Sequence, residues 1–290
     1  MFNLIDTLLQ GVLLGGLYAL FATGLSLAFG IMRFVNIAHG DFIVIGAFAS
    51  FALIGWVPMH PMLTLLIVMP ALAFLGYWAQ RLVYNRTLGR DIMPPLLVTF
   101  GLSVMMQNGL LEIFSGDMRR LDAGVLTTAS IDLPGGLAVG VFPVLTLVTA
   151  VALLAGLQFL FARTAIGRAL RATSDDPEIV QLMAIDSRKI YAVAMAIASA
   201  TVALAGVILG MSKAFDPLSG PPQLLFAFEA VIIGGLGSLW GTLAGGMVLG
   251  VAQAIGFRVD PGWGILLGHL AFIAILLIKP QGLFPKTRDR

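Results

Sequence analysis

The stretch "FVNIAHGDFIVIGAF" (residues 34–48) sets an Asn, a His and an Asp directly before a long apolar run. From Phe42 to Gln80 that run contains no Asp, Glu, Lys or Arg. Charge-free stretches of the same kind cover 7–32, 92–111, 133–162, 190–212, 230–257 and 261–278. A membrane-crossing helix needs roughly 20 predominantly apolar residues, so these gaps hold single spans and the longest holds two. The chain of 290 residues is 59% hydrophobic and 11% charged, against about 45–50% and about 25% in soluble domains. Its mean hydropathy is +0.98. These values define an all-α, polytopic membrane protein.

Composition also removes several classes of function. A net charge of +2 gives no electrostatic footprint for a nucleic-acid partner. The absence of Cys excludes disulfides, thiolate metal sites and thiol nucleophiles. His60 and His269 stand alone in the sequence, so no metal site and no cofactor are expected. The opening "MFNLIDTLLQ" has no basic residue before Arg33, and a cleaved signal peptide wants a positive first segment, so the first apolar run reads as a retained span.

Short basic loops mark the cytoplasmic side of a membrane protein. Basic residues occur at Arg33, at Arg81, Arg86 and Arg90, from Arg163 to Lys189, and from Lys279 to Arg290. The intervening stretch at 115–136 is acid-rich, with Asp117, Asp122 and Asp132 against Arg119 and Arg120. Placing the basic clusters inside predicts an outside N-terminus and an inside C-terminus. Spans are then expected near 7–31, 41–56, 61–81, 93–114, 140–162, 190–212, 224–238, 241–257 and 262–278. That makes about nine spanning or re-entrant helices in a single domain over 1–290. The seventh and eighth are short, with "GGLGSLWG" (234–241) as the break between them, because Gly readily leaves helical geometry. A single crossing there would carry Lys279, Lys286, Arg288 and Arg290 outside. Small residues recur at four-residue spacing, as at Gly11 and Gly15 or Gly246 and Gly250, the pattern that lets helix backbones approach closely in lipid.

"DFIVIGAF" (41–48) has a counterpart in "EAVIIGGL" (229–236): an acid, four apolar residues, then Gly46 or Gly234. Upstream, 17–30 loosely echoes 190–206. On the orientation above the two segments run in opposite directions, which suggests an inverted repeat with a pathway at its interface. Ionisable groups within a membrane cap helices, face cavities or do work. Asp41 is expected either to cap a helix starting at Ile43 or to line the pathway, and Glu229 to lie at a positive helix start. Asn36 and His39 are the accompanying pathway candidates, or simply caps.

The longest polar stretch is "RTAIGRALRATSDDPEIVQLMAIDSRKI" (163–190). Arg168 and Arg171 are three apart. Asp176 is placed to cap a helix that Pro177 begins and Glu178 supports in its first turn. Ile179, Leu182 and Met183 then share one face. So short an amphipathic helix either floats at the membrane surface or docks a partner.

Three blocks carry a family resemblance: "GLYALFATGLSLAFGIMRFVNIAHGDFIVIGAF" (16–48), "GRALRATSDDPEIVQLMAID" (167–186) and "EAVIIGGLGSLWGTLAGGMVLG" (229–250). Together they resemble the permease family of branched-chain amino-acid ABC importers, in particular the shorter of its two paired subunits. The likeness covers nearly the whole chain. It implies a bacterial inner-membrane transporter paired with a second, homologous permease, two cytoplasmic ATPases and a periplasmic binding protein. Residues 163–189 would then be the segment seated in an ATPase cleft, with Gly167, Arg168, Arg171, Asp176, Pro177, Glu178, Ile179, Leu182 and Met183 as its coupling residues. Arg168 and Arg171 would anchor it to lipid or to an acidic partner patch. The sequence contains no GxxxxGK[ST] phosphate loop, so ATP chemistry is expected from another subunit. The alternative is a self-contained channel or secondary transporter for a small solute such as urea or an amide. An enzyme is not expected, since Asp175 and Asp176 read as capping residues and the chain carries no HExxH.

Overall fold

The computed structural model describes residues 2–89, 91, 93–133 and 137–284. Arg90 and the C-terminal cluster at Lys286, Arg288 and Arg290 lie outside the described residues. Helices occupy all nine expected places: α1 (Phe2–Met32), α2 (His39–Trp56), α3 (Pro61–Leu82), α4 (Met93–Phe114), then, after the short α5 (Val125–Thr128), α6 (Val141–Arg163). Two short helices follow, α7 (Ala165–Asp175) and α8 (Pro177–Leu182), and then α9 (Ser187–Ser212), α10 (Gly220–Gly234), α11 (Leu239–Val259) and α12 (Trp263–Ile278). Seven of these are long and apolar enough to cross a membrane; α10 and α12 are apolar but shorter. Between α5 and α6 the strands β1 (Ser130–Leu133) and β2 (Leu137–Gly140) pair antiparallel. They mark one end of the bundle, the hairpin end. Helices α7 and α8 mark the other, the polar end.

Helices α1 and α9 form the centre, with 83% and 78% of their most apolar windows buried, whereas α3, α4 and α6 bury only 17–22%. The outer helices therefore turn apolar side chains outward, as a chain solvated by lipid does. The small-residue spacing is realised at the α1–α11 seam. A Cβ on Gly11 would lie 2.6 Å from the Val251 Cα, and one on Gly246 would lie 2.6 Å from the Gly15 carbonyl oxygen. Backbones meet there with nothing between them, the packing that holds helices together where lipid removes the hydrophobic drive.

Two breaks shape the core. Arg33, at φ 54°, ends α1, and residues 33–38 turn back alongside it until His39 reaches the carbonyl of Phe21. Phe21 is eleven residues short of Met32, roughly 16 Å along the helix, and six extended residues span at most roughly 20 Å. Helix α2 thus begins within the bundle rather than at its lip. The second break is the predicted one at 234–241. Gly235 and Gly237 take φ of 102° and 77°, and Ser238 Oγ accepts the Gly241 N–H at 3.1 Å to start α11. Helices α10 and α11 then pack back to back, Gly234 on Gly241 and Gly245 on the Ala230 carbonyl, so 224–257 doubles back.

The first turns of α2 and α10 meet. A Cβ on Gly40 would touch Gly220, and one on Gly220 would lie 2.8 Å from the Asp41 carboxyl carbon. From that meeting point α2 runs to the hairpin end, where Phe48 stacks on Phe114 and meets Phe215 edge to face. Helix α10 runs the other way, to where Gly237 lies on Gly30. The α1–α11 seam has its counterpart in α3 on α9, closed by Gly76 against Ser199. Elements α1–α3 and α9–α11 thus correspond with reversed direction. The registers of the two acids do not: Asp41 is the third residue of α2, while Glu229 is the tenth of α10.

Candidate functional site

All four pathway candidates are buried, and each has a different local role. Asn36 Oδ1 accepts the Ala38 N–H at 3.1 Å. His39 Nε2 lies 2.8 Å from the Phe21 carbonyl, and since a carbonyl only accepts, that nitrogen carries the proton. Asp41 is not the cap expected of it. Helix α2 starts two residues earlier, its N-cap position is Ala38, and no side chain caps it. The Asn36 side chain instead engages the Ala38 amide ahead of the first turn. Asp41 Oδ1 accepts from Gln107 Nε2 of α4 at 3.0 Å, and the same Nε2 reaches Ser103 Oγ at 3.0 Å.

Glu229 is likewise not at a helix start; it lies deep in α10. Gly220, which touches Asp41, is nine residues away, roughly 13 Å along the axis. The two acids therefore share no partner. Glu229 Oε1 accepts from His269 Nδ1 of α12 at 2.5 Å, while its Oε2 has no partner among the described residues. The histidine read as isolated is thus paired. Phe226 stacks against the His269 ring and makes a tilted contact with Tyr18. Tyr18 Oη donates to Gln253 Oε1 at 2.5 Å, and Gln253 Nε2 is buried without a partner among the described residues. Helices α1, α10, α11 and α12 so enclose a polar cluster with both donor and acceptor capacity unspent. Toward the hairpin end, Lys213 reaches Gln223 Oε1 at 3.5 Å, and burial pushes its ammonium below the ordinary lysine value.

His269→Ala leaves both Glu229 oxygens unpaired, and a buried unsatisfied polar group costs about 1–3 kcal/mol. The melting temperature of the purified chain in detergent should fall accordingly. His269→Ala combined with Glu229→Met should melt higher than His269→Ala alone, because removing both partners removes the orphaned charge. Additive losses would show that the pair is not coupled.

At the polar end the expected capping is present. Asp176 Oδ1 accepts the N–H groups of Glu178 and Ile179 at 2.9 and 3.0 Å, with Pro177 in the first turn. Thr164 Oγ1 caps α7 through the Gly167 N–H at 3.0 Å. Gly167 sits on the α6 backbone at Phe161, Leu170 is buried, and Ser174 Oγ donates to the Gly30 carbonyl at 2.6 Å. Helix α7 is therefore pinned to the bundle, while Arg168 and Arg171 lie exposed on its far side. Val180 anchors α8 inward at 3% exposure, and Ile179, Leu182 and Met183 stand out at 56%, 87% and 69%.

A multi-helix membrane protein with two reversed halves and one presented polar end is the class of protein these features define. The comparisons narrow it. The sequence profile described as "Branched-chain amino acid transport system / permease component" matches residues 7–276, and the chain belongs to that family. It is 29% identical to the high-affinity branched-chain amino acid transport system permease protein BraD of Pseudomonas aeruginosa, covering 97% of this chain and 96% of BraD. It is 27% identical to the permease protein LivH of Escherichia coli over 96% of this chain and 94% of LivH. The fructose import permease protein FrcC of Rhizobium meliloti is 30% identical over 67% of this chain and 57% of its own length.

Proposed function

We propose that this chain is a single-domain permease subunit of an ATP-driven importer in the bacterial inner membrane, carrying branched-chain or related amino acids into the cytoplasm. The full-length match to branched-chain amino-acid permeases carries the reading. The remaining parts are a second, homologous permease, two cytoplasmic ABC ATPases and a periplasmic binding protein that delivers the substrate. The chain itself is a transport subunit and not an enzyme. A strain lacking this chain should lose energy-dependent uptake of labelled leucine, isoleucine and valine and regain it on complementation. Unchanged uptake of all three, with loss of another solute, would move the substrate.

The polar end is assigned to the cytoplasm. Arg81, Arg86, Arg163, Arg168, Arg171, Arg188 and Lys189 gather there, and Asp117, Asp122 and Asp132 lie near the opposite end, the distribution that sets orientation. Tags at the two termini, probed with protease in right-side-out vesicles, should be cut at the N-terminus and protected at the C-terminus. Cleavage of the C-terminal tag would reverse the assignment.

Asn36, His39, Asp41 and Glu229 are assigned to the translocation pathway, because α2 and α10 meet by their first turns inside the bundle and run apart along it. The Asp41 carboxyl packs against Gly220, and Asn is the replacement that keeps its shape while removing the charge. Asp41→Asn should cut uptake by about tenfold or more, the worth of a charge-assisted hydrogen bond, at unchanged folded yield. Uptake that falls only with the amount of folded protein would remove Asp41 from the pathway.

A further inference from the structure

Beyond the importer reading, a cavity of about 260 Å³ opens at the polar end where α3 finishes and α9 begins. Arg81, Asn85, Arg86, Asp186, Arg188 and Lys189 line it. Four cations face one carboxylate, and that carboxylate is engaged: Asp186 Oδ1 accepts the Arg188 and Lys189 N–H groups at 3.0 and 3.4 Å, and its Oδ2 lies 3.9 Å from Lys189 Nζ. Among the described residues none of Arg81, Arg86 or Arg188 has a carboxylate partner. The walls are fixed by side chains from separate elements. Asn85 Nδ2 donates to the Arg188 carbonyl at 3.1 Å, and Asn85 Oδ1 accepts from Nε2 of the buried Gln80 at 3.0 Å.

Arg81 donates to Tyr77 Oη at 3.1 Å and lies over the Trp78 ring at 5.8 Å. Below it, Phe74, Leu75, Trp78 and Leu82 are exposed along the outer face of α3. A concave cationic pocket directly above an exposed apolar helix face, with a Trp at the boundary, matches a charged head joined to acyl chains. We propose that this cavity is a binding site for a phosphate group, the headgroup phosphate of an anionic phospholipid whose chains lie along α3. No step of the importer reading depends on it.

Trp78 is the built-in reporter. In the full chain with Trp56, Trp240 and Trp263 changed to Phe, brominated phosphatidylglycerol should quench Trp78 several-fold more effectively than brominated phosphatidylcholine in vesicles of the two lipids. Each neutralised cation should weaken the preference by about fivefold, so Arg81→Gln with Arg188→Gln should bring the ratio to one. Arg168→Gln with Arg171→Gln, elsewhere on the same end, should leave it unchanged. Excess inorganic phosphate should also leave it unchanged. A ratio of one in the parent chain, or a preference that survives in the Arg81 and Arg188 variant, overturns the site. A preference abolished by inorganic phosphate and not by sulfate assigns the pocket to the free anion and overturns the lipid source.

Discussion

Replacing Leu182 and Met183 together with Asp is expected to abolish ATP-driven uptake and recovery of the ATPase while leaving the helix bundle folded. The two side chains are 87% and 69% exposed and take no part in internal packing, so their loss costs the isolated chain no more than about 0.5 kcal/mol, as for other surface positions. Seated in a partner cleft, each fully buried apolar side chain contributes about 1.5–3 kcal/mol, and a buried carboxylate reverses the sign. Together they set association back by about a hundredfold or more. Arg168 and Arg171, exposed on the far side of α7, are expected to matter less. Val180→Asp is the contrast: at 3% exposure it holds α8 to the bundle, and its loss should loosen the segment itself. ATPase pull-down from solubilised membranes and uptake in parallel read both effects. Full recovery and full uptake in the Leu182 and Met183 variant would mean that α8 only rests on the membrane surface.

The second large effect is expected at the α1–α11 seam. A Cβ on Gly15 would stand 2.7 Å from both the Gly246 carbonyl oxygen and the Met247 nitrogen, and those are backbone atoms that no rotamer change can move. Gly15→Leu must therefore separate the two helices. Overpacking of this kind costs about 1–3 kcal/mol and at times more, and α1 lies at the centre of the bundle. Gly101→Leu and Gly109→Leu on α4 meet nothing within 4 Å and should be neutral. Thermal unfolding of the purified chain in detergent should show a large drop for Gly15→Leu alone. Equal stability of all three variants would contradict the seam.

The positions of the seven long apolar helices and of the shorter α10 and α12 were legible because charge is excluded from lipid and the charge gaps mark them directly. The cap at Asp176 and the glycine break at 234–241 follow from local backbone chemistry, which short sequence stretches carry in full. The inward start of α2 was not legible. Residues 34–38 are almost wholly apolar, so composition cannot tell a loop re-entering the bundle from one lying at its edge. Of the two readings of Asp41, cap or pathway, the cap is the one that does not hold, because the start of α2 was placed by its charge gap and not by the Asn36 turn. The His269–Glu229 pair joins positions 40 apart on two helices, and no local pattern reports such a contact. A signal was nonetheless present: His269 is the one titratable side chain in the charge-free stretch 261–278, and ionisable groups at that depth are expected to have partners. Gln107 and Ser103, the partners of the Asp41 region, stand in a charge-free span in the same way.

The central claim is that this chain moves solute only as part of an ATP-driven assembly. Its most direct test is reconstitution of the purified chain into proteoliposomes, first alone and then with the second permease, the ATPases and the binding protein. Labelled leucine uptake should be absent with the chain alone, appear only with the complete set, and require hydrolysable ATP. Uptake by the chain alone, unaffected by ATP or by the other subunits, would contradict the account and establish a self-contained channel or secondary transporter.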